Sequence, residues 1–447
     1  METSLQSTSN RGKLKFVIIT ALGLIMFLYK MPAFDATLFN LVIRLVQNAT
    51  LRIIHEVMFV FLLLNTILSI AVSVFSWKGL QNHARIEKTF KVSLVKLIIN
   101  ATAALIMILY LTGLTPYVNN ISSDVITMCN TIFVFLIVSK MLLPMVSDYG
   151  LAEFVEEILN PIMRPVFRLP GTAVIGILTS AFVSVTVAVM LITDQFYNKY
   201  FTRREALFMI TCLTLPAMPI TILLGELEGF TQIWGQFYGL IALTGLILSI
   251  LMIRLPIFNT VEDNYYGESR KDYTHKTDLK YGLESSRPSL GRAFENAGKR
   301  ASLKHDTVIT HFLNVIFNMT SFIPFIIVFG TIAMFLVNET PIIEFLLKPY
   351  AFYLSLFGFQ NATVLAPALF INTIDIVLPS MVLVNVSDMM TRMSMQVILL
   401  AQMVYMAPIL LTLNIETLTN PLTLLKIFVM RVLLIVPIVV FLFKIFM

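Results

Sequence analysis

The chain reads as long apolar runs separated by short polar breaks. The runs fall at Phe16–Tyr29, Ile54–Trp77, Val92–Thr112, Val125–Leu143, Gly171–Thr193, Arg204–Leu224, Phe237–Ile253, Val308–Val337, Asn361–Val386, Met393–Leu413 and Leu424–Met447. Many approach the roughly 20 residues with which a helix crosses about 30 Å of hydrocarbon. The pattern predicts an all-α polytopic membrane protein. A polar start with Arg11, Lys13 and Lys15 precedes the first run. That is the look of an uncleaved signal-anchor; a signal cleaved near Ala36 is the other reading.

Basic loops orient the runs, because Lys and Arg collect on the cytoplasmic side. The N-terminus is basic, and so is the loop with Lys78, His83, Arg85, Lys88 and Lys91, whereas Pro116 to Asp124 has no Lys or Arg. The N-terminus is therefore expected in the cytoplasm, and the fourth run returns the chain there near Lys140. If Gly171–Thr193 then crossed, Lys199, Arg203, Arg204 and the basic stretch Arg254–Asp306 would all lie outside. If it enters and turns back, they lie inside, and Glu226 and Glu228 sit at the outer mouth. The charges favour re-entry, which gives about nine transmembrane helices and two re-entrant helical hairpins. Irregular backbone at membrane depth is tolerated only where protein or a water-filled cavity covers it.

The two halves echo each other at an offset near 189 residues. Glu153-Phe154 to Asn160-Pro161 matches Glu344-Phe345 to Lys348-Pro349. Asp194 matches Asp388, Thr202-Arg203 matches Thr391-Arg392, and Ala217-Met218-Pro219 matches Met406-Ala407-Pro408. The two aspartates read as interfacial caps. The order expected in each half is an interfacial helix, a hairpin, a broken helix and a full span, with the halves inverted. Pro216, Pro219 and Pro408 mark the breaks, since proline removes a backbone N–H and frees a carbonyl. The domains expected are N-terminal helices over 1–124, one repeat over 125–253, a flexible cytoplasmic linker over 254–307 and a second repeat over 308–447.

Composition narrows the class. Of 447 residues, 57% are apolar and only 13% charged, too few charges to cover a soluble surface. Two cysteines, Cys129 and Cys212, cannot form a zinc site alone. The net charge of +6 serves orientation and does not point to nucleic acid. There is no G-x-x-x-x-G-K-[ST] loop for ATP. No G-x-S-x-G or H-E-x-x-H suggests a membrane hydrolase. The chain is not expected to be an enzyme or to carry a cofactor.

Several motifs resemble a known family. They are Glu153 to Leu159, Pro161-Ile162-Met163-Arg164-Pro165, Phe167-Arg168-Leu169-Pro170-Gly171, Leu191-Ile192-Thr193, Phe201-Thr202-Arg203-Arg204-Glu205-Ala206 and Ile233-Trp234. Together they resemble the YjiH-type nucleoside-recognition (Gate domain) membrane proteins, best over about residues 125–260. The resemblance implies a fold similar to concentrative nucleoside transporters. Gate domains also occur in ferrous-iron transporters and sporulation membrane proteins, so the resemblance does not itself specify nucleosides.

Polar residues in the hairpins and broken helices are the candidates for binding. In the first half they are Thr179, Ser180, Ser184 and Thr214, with Thr186 and Thr211 beside them; in the second, Asn372, Thr373, Asp375, Gln396 and Gln402, with Ser380, Asn385 and Ser394. Hydroxyls and amides can hydrogen-bond a neutral polar solute, while any one Ser or Thr can equally be a helix-packing residue. Asp375 stands in an apolar stretch, where a carboxylate is a functional candidate by default; a hairpin-tip cap is its structural alternative. The function expected is cation-coupled secondary transport of a small polar solute, with a nucleoside-like one among the candidates, across a bacterial cytoplasmic membrane. The coupling ion is sodium or a proton. The alternatives are a divalent metal-ion permease and a non-transport scaffold like the sporulation proteins. The partners expected are membrane lipid and the solute; homo-oligomer formation is left open.

Overall fold

The computed structural model describes residues 2–31, 36–75, 84–142, 144–182, 184–267, 289–303, 308–339, 341–413, 415 and 417–447. Helices account for most of them, and a two-residue antiparallel bridge joins Lys30–Met31 to Ala36–Thr37. Among the described residues, seven helices are long and apolar enough to cross a membrane. They are Ile54–Ser73, Leu94–Thr112, Pro116–Val146, Arg203–Leu227, Thr231–Met252, Val315–Leu336 and Pro421–Phe446. The architecture is that of an all-α polytopic membrane protein.

One run differs from the sequence expectation. Phe16–Tyr29 is the apolar end of a longer helix, Glu2–Leu28, whose first half is polar. Met393–Leu413, expected as a broken helix, splits into Met389–Ala401 and Met406–Leu413. Each piece is too short to cross by itself.

The chain divides into two compact units. One comprises residues 30–142 and 306–348. Its helices Ile54–Ser73, Leu94–Thr112, Pro116–Leu142 and Val308–Glu339 pack together. Polar side chains tie them: Asn65 Nδ2 donates to the Thr320 carbonyl at 2.8 Å, Thr66 to the Asn100 carbonyl at 3.1 Å, and Asn100 Nδ2 to Ser69 Oγ at 3.2 Å. Such bonds join helices where apolar burial alone cannot, because lipid is as apolar as the helix faces. The boundary expected at 124/125 lies inside Pro116–Leu142, and Val308–Glu339 belongs to this unit instead of the second repeat.

The other unit comprises residues 1–29, 143–305 and 349–447. It holds two series of elements in the same order. The first runs Leu151–Phe167, the helix pair Ala173–Phe182 and Val185–Tyr197, an interrupted helix from Arg203 to Leu227, and Trp234–Met252. The second begins with the part of Pro341–Leu356 from Pro349 onward and runs through Ala362–Ile371 with the single turn Ser380–Leu383, an interrupted helix from Met389 to Leu413, and Pro421–Phe446. The second pair is the less regular. Asn372 to Pro379 forms turns in place of a helix arm, and Asp375 draws the N–H groups of Val377 and Leu378 to its side chain at 2.7 and 3.3 Å. A carboxylate that takes two consecutive amides in this way competes with helix formation.

The 254–307 stretch is in part ordered helix, which corrects the expectation of a flexible linker. Leu290–Ser302 packs on Glu2–Leu28 and on Leu151–Phe167. Ala293, Ala297 and Ala301, at four-residue spacing, are fully buried, so the helix lays a small-residue stripe against its neighbours. Gly298 is required there: a Cβ on it would lie 3.0 Å from the Lys13 nitrogen and 2.8 Å from Lys13 Cγ. Phe16, Phe154 and Phe294 close the junction with ring centroids 5.0 to 6.1 Å apart. Arg292 pairs with Glu157 at 2.9 Å and Arg300 with Glu153 at 3.5 Å. Residues 268–288 and 304–307 of the expected linker lie outside the described residues.

Candidate functional site

The first interrupted helix opens with a capping box, in which Thr202 and Glu205 satisfy each other's backbone N–H groups. It widens into a π-helical turn over Met209–Leu213 and unwinds through Thr214 to Ala217. Pro216 stands in the unwound stretch. Pro219 falls in the first turn of Met218–Leu227, where a helix needs no N–H. The hydroxyls nearby mend the backbone: Thr211 donates to the Leu207 carbonyl at 2.7 Å and Thr214 to that of Ile210 at 3.2 Å. Ser249, from the following span, donates to the Cys212 carbonyl.

The first helix pair is bonded to this break. Ser180 Oγ donates to the Ile177 carbonyl at 2.7 Å and accepts the Leu215 N–H at 2.8 Å. Ser184 caps Val185–Tyr197 by accepting the Thr186 N–H at 3.2 Å. Thr179 is half-buried and supplies a carbonyl to the Ser184 N–H at 3.0 Å. Of the four first-half candidates, only Ser180 joins the pair to the broken helix. Ser184 and Thr214 make local backbone repairs.

The second break covers Gln402 to Tyr405. Pro408 lies just after it, in the first turn of Met406–Leu413, so Pro219 and Pro408 each start a half-helix instead of kinking one. Asn372 Nδ2 donates to the Leu399 carbonyl at 3.2 Å, which ties the second pair to the second break as Ser180 ties the first. Thr373 bonds within its own turn, to the Phe370 carbonyl at 2.7 Å. Asp388 caps Met389–Ala401 through the Thr391 N–H at 2.8 Å, as expected. Asp194 does not cap; it lies inside Val185–Tyr197.

Arg431 is the residue that sequence reasoning missed. It is 1% exposed in the middle of Pro421–Phe446. Its Nε donates to Gln402 Oε1 at 2.8 Å, and Nη2 donates to the Ala401 carbonyl. Gln402 Nε2 returns to the Phe428 carbonyl at 3.3 Å. Cys212, in the π-helical turn before the first break, lies beside the guanidinium. Cys212 and Ala401 stand at the repeat offset, so one side chain meets equivalent points of both halves. A lone Arg within an apolar run was the available signal, since intramembrane charges mark functional positions.

Other polar groups here are buried without partners. Both side-chain amide atoms of Gln396, which is fully buried, lack a hydrogen bond, as does Asn372 Oδ1. Asp375 is 6% exposed and electrostatically coupled to Tyr405 in the second break. Glu228, expected at the outer mouth, is 1% exposed, and neither carboxylate oxygen makes a hydrogen bond of normal geometry. Burial pushes its carboxyl up to about 8, against the opposing influence of Ser380 and Arg392. Buried polar groups are normally paired, so the exceptions at Gln396, Asn372 and Glu228 are the most informative part of the unit. A cavity of about 10 Å³ lies between the breaks, lined by Thr211, Met403, Pro408 and Thr412. It is room for about one water. Among the described residues, no three His, Cys, Asp or Glu converge as metal ligands.

The fold and this centre define a helical membrane protein with two interrupted helices around unpaired polar groups, an architecture compatible with a transporter. No family model matches the chain. A protein of Alkalihalophilus pseudofirmus, described as uncharacterized, is 27% identical over 451 residues, which cover 99% of this chain and 96% of the relative. No solved structure matches.

Proposed function

We propose that the protein is a secondary transporter of a small polar solute, working by alternating access in a bacterial cytoplasmic membrane with its N-terminus inside. The observation that carries this reading is the pair of ties at the breaks, Ser180 to the Leu215 N–H and Asn372 to the Leu399 carbonyl. The first joins a helix pair to the unwound backbone of the interrupted helix that follows it, and the second joins its pair to the last turn before the break. Unwound backbone is costly in lipid and persists where protein or a water-filled cavity covers it. In many secondary transporters, discontinuous helices form the midplane site at the interface of repeats. On this reading the two pairs are re-entrant hairpins in an inverted repeat, as the resemblance to Gate-domain proteins implies. Gln396, Asn372 and Asp375 face the solute, and the chain has no enzymatic role.

The test is uptake by purified protein in liposomes from a panel of nucleosides, bases, amino acids and organic anions. A thermal-shift screen comes first, since a ligand that binds the folded state stabilises it by mass action. Gradient-dependent uptake that drops at least tenfold on Asp375→Asn is the expected result. Uptake of nothing in the panel, with no thermal hit, would reject transport in favour of the scaffold reading.

A further inference from the structure

Arg431 poses an electrostatic question that the transport reading leaves open. It is a buried cation in an apolar span. No carboxylate lies within ion-pair distance of it among the described residues. A lone charge there is expensive, so something else must compensate it. The compensation comes from helix ends. Ala401 is the last residue of Met389–Ala401, and Cys212 lies in the last turn of Arg203–Leu213. Each helix C-terminus carries about half a negative charge from its unpaired carbonyls, so two together offset about one positive charge. The guanidinium bonds directly to the Ala401 carbonyl and to the Gln402 amide oxygen. The Cys212 side chain lies beside it, and Nη1 is buried without a hydrogen-bond partner.

Carbonyls freed at helix breaks and half-helix C-terminal ends are the groups that hold coupling cations in discontinuous-helix transporters. Here the Ala401 carbonyl is engaged by Arg431 and the Cys212 carbonyl by Ser249. We infer that the Arg431 guanidinium is a built-in cation occupying the place a coupling sodium ion would take between the two breaks, so that this protein works without sodium. The inference rests on the transport reading and sharpens it. Coupling is left to protons, with Asp375 and Glu228 as the buried carboxylates that can carry them. Arg431 positions the two breaks and does not itself bind solute.

Three measurements on the full-length protein test this. Replacing sodium by choline should change neither the thermal midpoint nor the uptake of the wild type; saturable stabilisation or stimulation by sodium would overturn the inference. Arg431→Ala should lose several degrees in thermal midpoint and recover at least half of the loss in millimolar guanidinium chloride. Urea, a neutral molecule of the same shape, should not restore it. A variant as stable as the wild type, or one restored equally by urea, would show that no cation is needed there. If Arg431→Ala cannot be purified, Arg431→Lys keeps the charge and should retain most of the stability, whereas Arg431→Gln keeps polarity without charge and should not; equal stability of the two overturns the inference. The stability arms need no substrate. Failure to find any transported solute would therefore sink the transport reading while leaving the Arg431 result standing.

Discussion

The hydroxyl of Ser180 accepts the backbone N–H of Leu215 at 2.8 Å. A donor released by helix unwinding is thereby satisfied from the neighbouring helix pair. Ser180→Ala leaves that N–H buried without a partner, which costs about 1–3 kcal/mol. The expected outcome is a lower thermal midpoint, with slower uptake as the break loses its fixed geometry. An unchanged midpoint would mean that water or another group takes the bond over.

Gln396 offers the opposite test. Both of its amide atoms are buried and unpaired, so its present contribution to stability is unfavourable. Gln396→Leu replaces it with an apolar side chain of similar volume. Stability should hold or rise, while the apparent affinity for solute falls tenfold or more. A fall in stability without a change in transport would assign the amide a purely structural partner.

Glu228 makes stability depend on pH. Its folded-state value of about 8 lies above the ordinary 4.5 because of burial. The folded state therefore holds a proton that the unfolded state has already released. Its contribution is fully present below about pH 4.5 and is lost as pH rises through about 8. The thermal midpoint should fall between pH 5 and pH 8.5, and Glu228→Gln should flatten that slope. Equal slopes in the two proteins would show that the carboxyl is solvated.

A second pH effect belongs to the helix Leu290–Ser302. It is held to Leu151–Phe167 by Arg292–Glu157 and Arg300–Glu153. Between those carboxylates Glu156 is raised to about 7, first by burial and then by repulsion from Glu153 and Glu157. It joins the cluster neutral below that value and charged above it, so docking should be tighter at pH 6 than at pH 8.5. Hydrogen exchange of residues 290–302 should accelerate at the higher pH, and Glu156→Gln should remove the difference.

Close packing gives a further check on the same junction. Gly298→Ala would place a methyl group 3.0 Å from the Lys13 nitrogen, closer than carbon and backbone nitrogen normally come. It should separate the first helix from Leu290–Ser302 and raise exchange in both. Ala297→Gly, which adds no atoms, should leave that spacing intact.

The membrane class and the two breaks were legible in the chain because their causes are local. Apolar runs follow from composition over about 20 residues. Pro216, Pro219 and Pro408 act on the backbone within a turn of themselves, and Asp388 and Thr202 cap the helices they precede. The partnership of Arg431 with Ala401 and Cys212, the burial of Glu228 and the docking of Leu290–Ser302 were not legible. Each depends on helices far apart in the chain, and nothing in the residues around Arg431 says which carbonyls it will reach. Hydrophobic periodicity tells a helix which face to bury; only the packed arrangement decides which buried polar groups meet, and which are left without partners.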